Sequence, residues 1–140
     1  MIDKIIQHKN KISILKGLSD ESIKMVIQEC KMLKYNRGET IIQQGDNTKN
    51  VFYLMNGKIK VLVNKKEVGM INSHQAFGEF SAIANEKRNA TLIATEPCKV
   101  ISFILALDKL EDEFSGFAGL YKNICNELII KVDEANKRAK

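Results

Sequence analysis

The sequence predicts a mainly β domain, an antiparallel sandwich or barrel with flanking helices, on three observations. Glycines fall at 38, 45, 57, 69 and 78, separated by 7, 12, 12 and 9 positions. Between them lie short runs rich in β-branched and aromatic residues, and helical periodicity is confined to the two ends of the chain. Short strands punctuated by turn glycines point to antiparallel pairing, and the lack of crossover helices excludes a parallel α/β sheet.

The elements follow in order. Residues 2–11 read as a short helix. From Ser19, "SDESIKMVIQECKMLK" sets Ile23, Val26, Ile27, Cys30 and Leu33 at helical spacing behind a serine cap and early acids, which predicts a longer helix. Strands are then expected in "ETIIQQ", "NVFYLMN", "KIKVLVN", "KEVGMI", "ATLIATE" and "CKVISFI", with the single proline, Pro97, in the turn between the last two. The pattern turns helical again at "LDKLEDEF" and over residues 116–135, where Leu120, Ile124, Leu128 and Val132 stand four apart, flanked by Phe117, Tyr121 and Ile129. The predicted organisation is one domain over 1–140: N-terminal helices over 1–34, a barrel over 35–104, and C-terminal helices over 105–140.

Composition bounds the function. With 140 residues, 44% hydrophobic and 28% charged, the chain suits one ordinary globular domain. Its net charge of +5 sits at the ends: residues 1–16 carry four lysines against Asp3, and residues 131–140 carry four basic against two acidic groups. Residues 17–130 are balanced, so there is no basic stripe with stacking aromatics and nucleic-acid binding is not expected. The longest apolar run, "FILAL", is far short of the ~20 residues that span a bilayer. The start, "MIDKIIQHKNKIS", reads as neither a secretory signal nor an anchor. Cys30, Cys98 and Cys125 lack CxxC spacing, which argues against disulfides and zinc and for a reduced, cytoplasmic protein. His8 and His74 are the only histidines and match no metal-ligand spacing, and no P-loop or G-x-S-x-G pattern occurs. An enzyme is not expected, nor a cofactor.

The segment "FGEFSAIANEKRNAT", residues 77–91, interrupts the strands where a hairpin would need only a few residues. A short helix starting near Glu79 would leave the N–H groups of Ser81 and Ala82 free for an anion, and Gly78 would let the backbone approach a ligand. Arg88 is suited to bidentate bonding of a phosphate. Glu79 repels a phosphate but accepts from a hydroxyl beside it, as in a ribose phosphate with a free 2′-hydroxyl. Ala90 leaves space for the sugar. The plainer alternative is a surface ion pair between Glu79 and Arg88, worth about 0–1 kcal/mol.

This segment resembles the phosphate-binding cassette of cyclic nucleotide-binding domains. "ETIIQQGDNTKNVFYLMNGKIKV" is similar to the strand–turn–strand region that precedes it there, with Gly45, Asp46 and Gly57 at the turn positions. The resemblance covers about residues 12–135. It implies a jelly-roll-like barrel of about eight strands and a ligand, cAMP or cGMP, rather than a cofactor. Carried over, Glu79 takes the ribose 2′-hydroxyl and Arg88 the phosphate oxygens. Gly78, Phe80, Ser81 and Ala82 belong to the contacting turn, and Asn89 and Ala90 border phosphate and base. Ala82, Lys87, Asn89 and Thr48 depart from the residues usual at their positions in the family.

The expected function is a cyclic nucleotide receptor whose C-terminal helix moves on binding and signals to a protein effector. Two alternatives stay open here: a ligand-free interaction module of the same fold, or a fragment of a larger transcription regulator, channel or kinase. Residues 136–140, "NKRAK", leave no room for a helix-turn-helix. The stripe over 116–135 either packs on the domain or forms a homodimer seam.

Overall fold

A computed structural model describes residues 1–106 and Asn123. Of the predicted helices over 105–140, Leu105 instead ends a strand, and residues 107–140, with the dimer seam within 116–135 and Cys125, lie outside the described residues, Asn123 excepted.

Eight strands form two four-stranded antiparallel sheets. They are β1 (Ile27–Tyr35), β2 (Thr40–Ile42), β3 (Val51–Asn56), β4 (Lys58–Val63), β5 (Lys66–Asn72), β6 (Ala76–Phe77), β7 (Thr91–Ala94) and β8 (Cys98–Leu105). One sheet has the order β1-β8-β3-β6 and the other β2-β7-β4-β5. Helices α1 (Ile2–Gln7) and α2 (Asp20–Val26) precede them, joined by 3-10 turns at Lys9–Lys11 and Ser13–Leu15, and α3 (Glu79–Ala84) sits between β6 and β7. The mainly β, antiparallel architecture expected from the glycine spacing, and the eight-stranded jelly-roll-like form that the resemblance implies, are what the chain adopts.

The first sheet is buried on both faces, which explains the unbroken apolar run of β3. Phe52 and Leu54 point with Val100 and Cys98 toward the second sheet, where Ile42, Ile59, Leu92 and Ala94 complete one core. Val51 and Tyr53 point the other way with Ile101 and Phe103, and the N-terminal segment covers them with Ile5, Ile12, Ile14, Leu15 and Ile23. Alternate residues of one strand therefore enter different cores. Each such fully buried side chain contributes about 1.5–3 kcal/mol of transfer free energy.

One element corrects the sequence reading. The serine cap is real, since Ser19 Oγ accepts from Ser22 N at 3.1 Å. However, α2 ends at Val26, and Ile27–Tyr35 is a strand, not the last turns of a helix. The barrel thus begins at residue 27 and not at 35. The cause is a bulge: the pairing of β1 with β8 shifts register between Gln28 and Lys31, and Glu29 adopts a φ of +51°. The extra residue breaks period-two alternation and sets Ile27 and Cys30 three apart on one face, and Leu33, which faces the other core, extends the false helical spacing. Pairing along β8, from Ile27↔Leu105 to Tyr35↔Cys98, overrides the local preference. The two-residue β6 carries too little pattern to be read from sequence.

Candidate functional site

The site is built where β6 ends. Phe77 pairs with Phe52 of β3, and their rings stack with centroids 5.1 Å apart. The chain then turns at Gly78, whose φ of +80° caps α3. Nothing larger fits: a Cβ there would lie 2.9 Å from Arg88 Nη1, 3.0 Å from the Asn50 carbonyl and 3.2 Å from the Phe52 ring. After α3 ends at Ala84, residues 85–90 return to β7 alongside the β2–β3 connection.

That connection grips Arg88 by its backbone. Arg88 N donates to Asp46 O at 2.7 Å, and Gly45 N donates to Arg88 O at 2.8 Å. Beside it Lys49 Nζ donates to Glu86 O at 2.6 Å. The guanidinium is equally fixed: Nε donates to Thr48 Oγ1 at 3.0 Å, Nη1 to Gly78 O at 2.9 Å, and Nη2 to Asn50 O at 2.7 Å. Its carbon also lies 6.0 Å from the centroid of the Phe52 ring. Arg88 is 4% exposed. Burial pushes its pKa down while Asp46 and Glu79 pull it up, and an arginine so placed keeps its charge.

Glu79, on the first turn of α3, is 9% exposed. A surface ion pair is therefore not the arrangement: both groups are buried, and both line one cavity of about 370 Å³. That volume suits a small organic ligand, for which sites of about 300–1,000 Å³ are usual.

Gly78, Glu79, Phe80, Ser81, Arg88, Asn89 and Ala90 all line this cavity. Ala82 does not; it packs with the core beneath the N-terminal segment. With Gly78 as cap, the N–H groups that a helix start leaves without an intrahelical acceptor belong to residues 78–81, and Ala82 is one position beyond them. The sequence reading missed the opposite wall, where Val61, Val68, Met70, Ile71 and Leu92 come from the second sheet. Val68 and Met70 are exposed, and apolar residues on both faces of β5 were the signal available.

Chemically, the cavity offers a buried cation from the segment after α3, a carboxylate from the first turn of α3 and an apolar wall. Of the five guanidinium N–H groups, three are used within the described residues, which leaves two for a ligand. An amphiphilic molecule with a compact anionic end, a neighbouring hydroxyl and an apolar ring matches this set. Among the described residues no group of three or more His, Cys, Asp or Glu could hold a metal ion, and no helix is long and apolar enough to cross a membrane.

A second polar cluster lies on the other face of the first sheet. The buried Tyr53 hydroxyl is 3.1 Å from His8 Nδ1 and 3.3 Å from His74 Nδ1, and the two imidazoles stack at 5.7 Å. His74 is exposed in the turn before β6. Cys98 is buried and Cys30 partly so, both as free thiols.

Comparison with known proteins bears on this geometry. The sequence profile of the cyclic nucleotide-binding domain matches residues 32–109. The cGMP-dependent protein kinase of Eimeria tenella is 30% identical over 102 residues, 69% of this chain and 10% of the kinase. The cAMP-dependent protein kinase regulatory subunit of Yarrowia lipolytica is 31% identical over 82 residues, 59% of this chain and 22% of that protein. The chain thus spans about a tenth to a fifth of these relatives. In fold, it is similar to the sensor domain of the transcriptional regulator DNR from Pseudomonas aeruginosa, with a TM-score of 0.70 at 19% identity, covering 95% of this chain and 94% of that one.

Proposed function

Because the chain belongs to the cyclic nucleotide-binding domain family, we propose that it is a receptor for cAMP or cGMP. The observation that carries this reading is the buried Arg88, fixed at the wall of a cavity that Glu79 shares. In this reading Arg88 takes the phosphate oxygens with its two remaining N–H groups. Glu79 accepts from the ribose 2′-hydroxyl. The N–H groups at the start of α3 face the phosphate, Asn89 and Ala90 border it, and the base lies along the apolar wall from Val61 to Leu92. Binding, not catalysis, is the role.

We place its output in the C-terminal segment. Asn123 Nδ2 donates to Ile14 O at 3.0 Å and to Lys16 O at 2.8 Å, which supports a mechanical link between that segment and the N-terminal turns. A ligand that prefers one arrangement of this link shifts the population toward it, and a phosphate contact with base burial supplies about 2–4 kcal/mol of preference. The kinase and kinase regulatory subunit among the relatives support a protein effector, such as a kinase module, as the recipient. Calorimetric titration with cAMP and cGMP in parallel tests the receptor reading. Heat and saturation with at least one are expected; no heat and no thermal shift with either would leave an interaction module that does not bind nucleotide.

A further inference from the structure

Five hydrogen bonds fix Arg88: two at its backbone and three at its guanidinium. Four of the five are made to backbone groups, which any residue at those positions would supply. The fifth is different. Thr48 Oγ1 accepts from Arg88 Nε at 3.0 Å, and among the described residues it is the only side-chain acceptor on the guanidinium. Thr48 does not line the cavity.

We propose that Thr48 is a positioning residue for anion binding, its hydroxyl setting the plane of the Arg88 guanidinium from behind the pocket. The proposal rests on the receptor reading above and adds a residue to it. A guanidinium is planar and rigid, so bonds at Nε and Nη2 together define its orientation, and the β2–β3 connection provides both, through Thr48 and Asn50. The orientation in turn aims the two remaining N–H groups. A neutral hydroxyl does this without offsetting the charge that an anion needs, as a carboxylate in hydrogen-bond contact would. Preset geometry also spares a ligand the ordering of a long side chain. Because Thr48 is exposed, replacing it leaves the core intact.

The test uses the full chain with two variants. Thr48→Val keeps the shape and removes the acceptor; Thr48→Ser keeps the acceptor. Calorimetry should show Thr48→Val binding the preferred nucleotide about 3–10-fold more weakly, less than the loss of a direct charge-assisted contact because Thr48 acts on the ligand only through Arg88, with Thr48→Ser within about twofold of the wild type. A merely structural role would not move the second readout, solvent exchange of the Arg88 Nε proton by NMR in the ligand-free protein. It should be slowed in the wild type and in Thr48→Ser, and fast in Thr48→Val. Wild-type exchange at the rate of an exposed arginine overturns the proposal even if Thr48→Val fails to fold. Binding by Thr48→Val equal to the wild type overturns it alone, whereas a wild type that binds neither nucleotide overturns the receptor reading and this proposal with it.

Discussion

Arg88 reaches the Asn50 carbonyl through Nη2 at 2.7 Å, so the cation assigned to the ligand also holds together the loops around it. Arg88→Ala should therefore have two effects. Removing the side chain strips the Asn50 and Gly78 carbonyls of their partner, and the variant should lose about 1–3 kcal/mol in urea unfolding. It should also bind nucleotide more than tenfold more weakly, since a charge-assisted contact is worth about 1.5–3 kcal/mol. A variant as stable as the wild type would show that the guanidinium is not the brace described.

Glu79 gives a sharper prediction because its ligand partner can be deleted as well. Glu79→Gln keeps the size and removes the charge of the acceptor, and its affinity for the ribose nucleotide should fall by about tenfold. A 2′-deoxy analogue has no hydroxyl to lose, so its affinity should change much less. Equal losses for the two ligands in calorimetry would remove Glu79 from the ribose role.

How much of this was legible in the sequence depended on whether a signal was local. The turn at 77–91 was: Gly78, Glu79 and Arg88 stand within fifteen residues and line one cavity, and a short helix starting at Glu79 is present as expected. Six strands were legible for the same reason, each bounded by its own turn residues. The wall from β4, β5 and β7 was not, because apolar residues facing a cavity look like apolar residues facing a core until the sheets are assembled. β1 was misread because a bulge at Glu29 disguises its period, and the Thr48–Arg88 bond spans 40 residues. No spacing rule reaches that far.

Gly57 separates stability from binding. Its φ is +119°, and an added Cβ would sit 2.6 Å from Cys98 Sγ, 2.8 Å from the Pro97 carbonyl and 2.9 Å from Cys98 Cα. The backbone and the buried thiol cannot both retreat, so Gly57→Ala should destabilise the fold by more than about 1 kcal/mol. Gly57 is absent from the cavity lining, and the folded variant should retain the wild-type nucleotide affinity. Thermal unfolding followed by titration below the transition checks both parts; a variant of unchanged stability contradicts the contact geometry.

The His8–Tyr53–His74 cluster predicts a pH dependence with a definite sign. Desolvation lowers the His8 pKa below 6.5, and facing His74, then Lys11 and Lys4, lower it further. Tyr53 can donate to only one of the two Nδ1 atoms, so one ring accepts the phenol proton while the other donates to the phenol oxygen. Protonating His8 adds a third cation beside Lys11 and Lys4 and forces that exchange to rearrange. Between the lowered folded-state pKa and 6.5 the unfolded chain binds more protons than the folded one, so stability falls as the pH drops through this window and is complete above it. Melting temperatures measured from about pH 7.5 to 5.5 should decline, with the slope reduced in His8→Gln. His74→Asn should reduce it less, because desolvation of His8 is the larger cause and persists. An identical slope in wild type and His8→Gln would assign the decline to other groups.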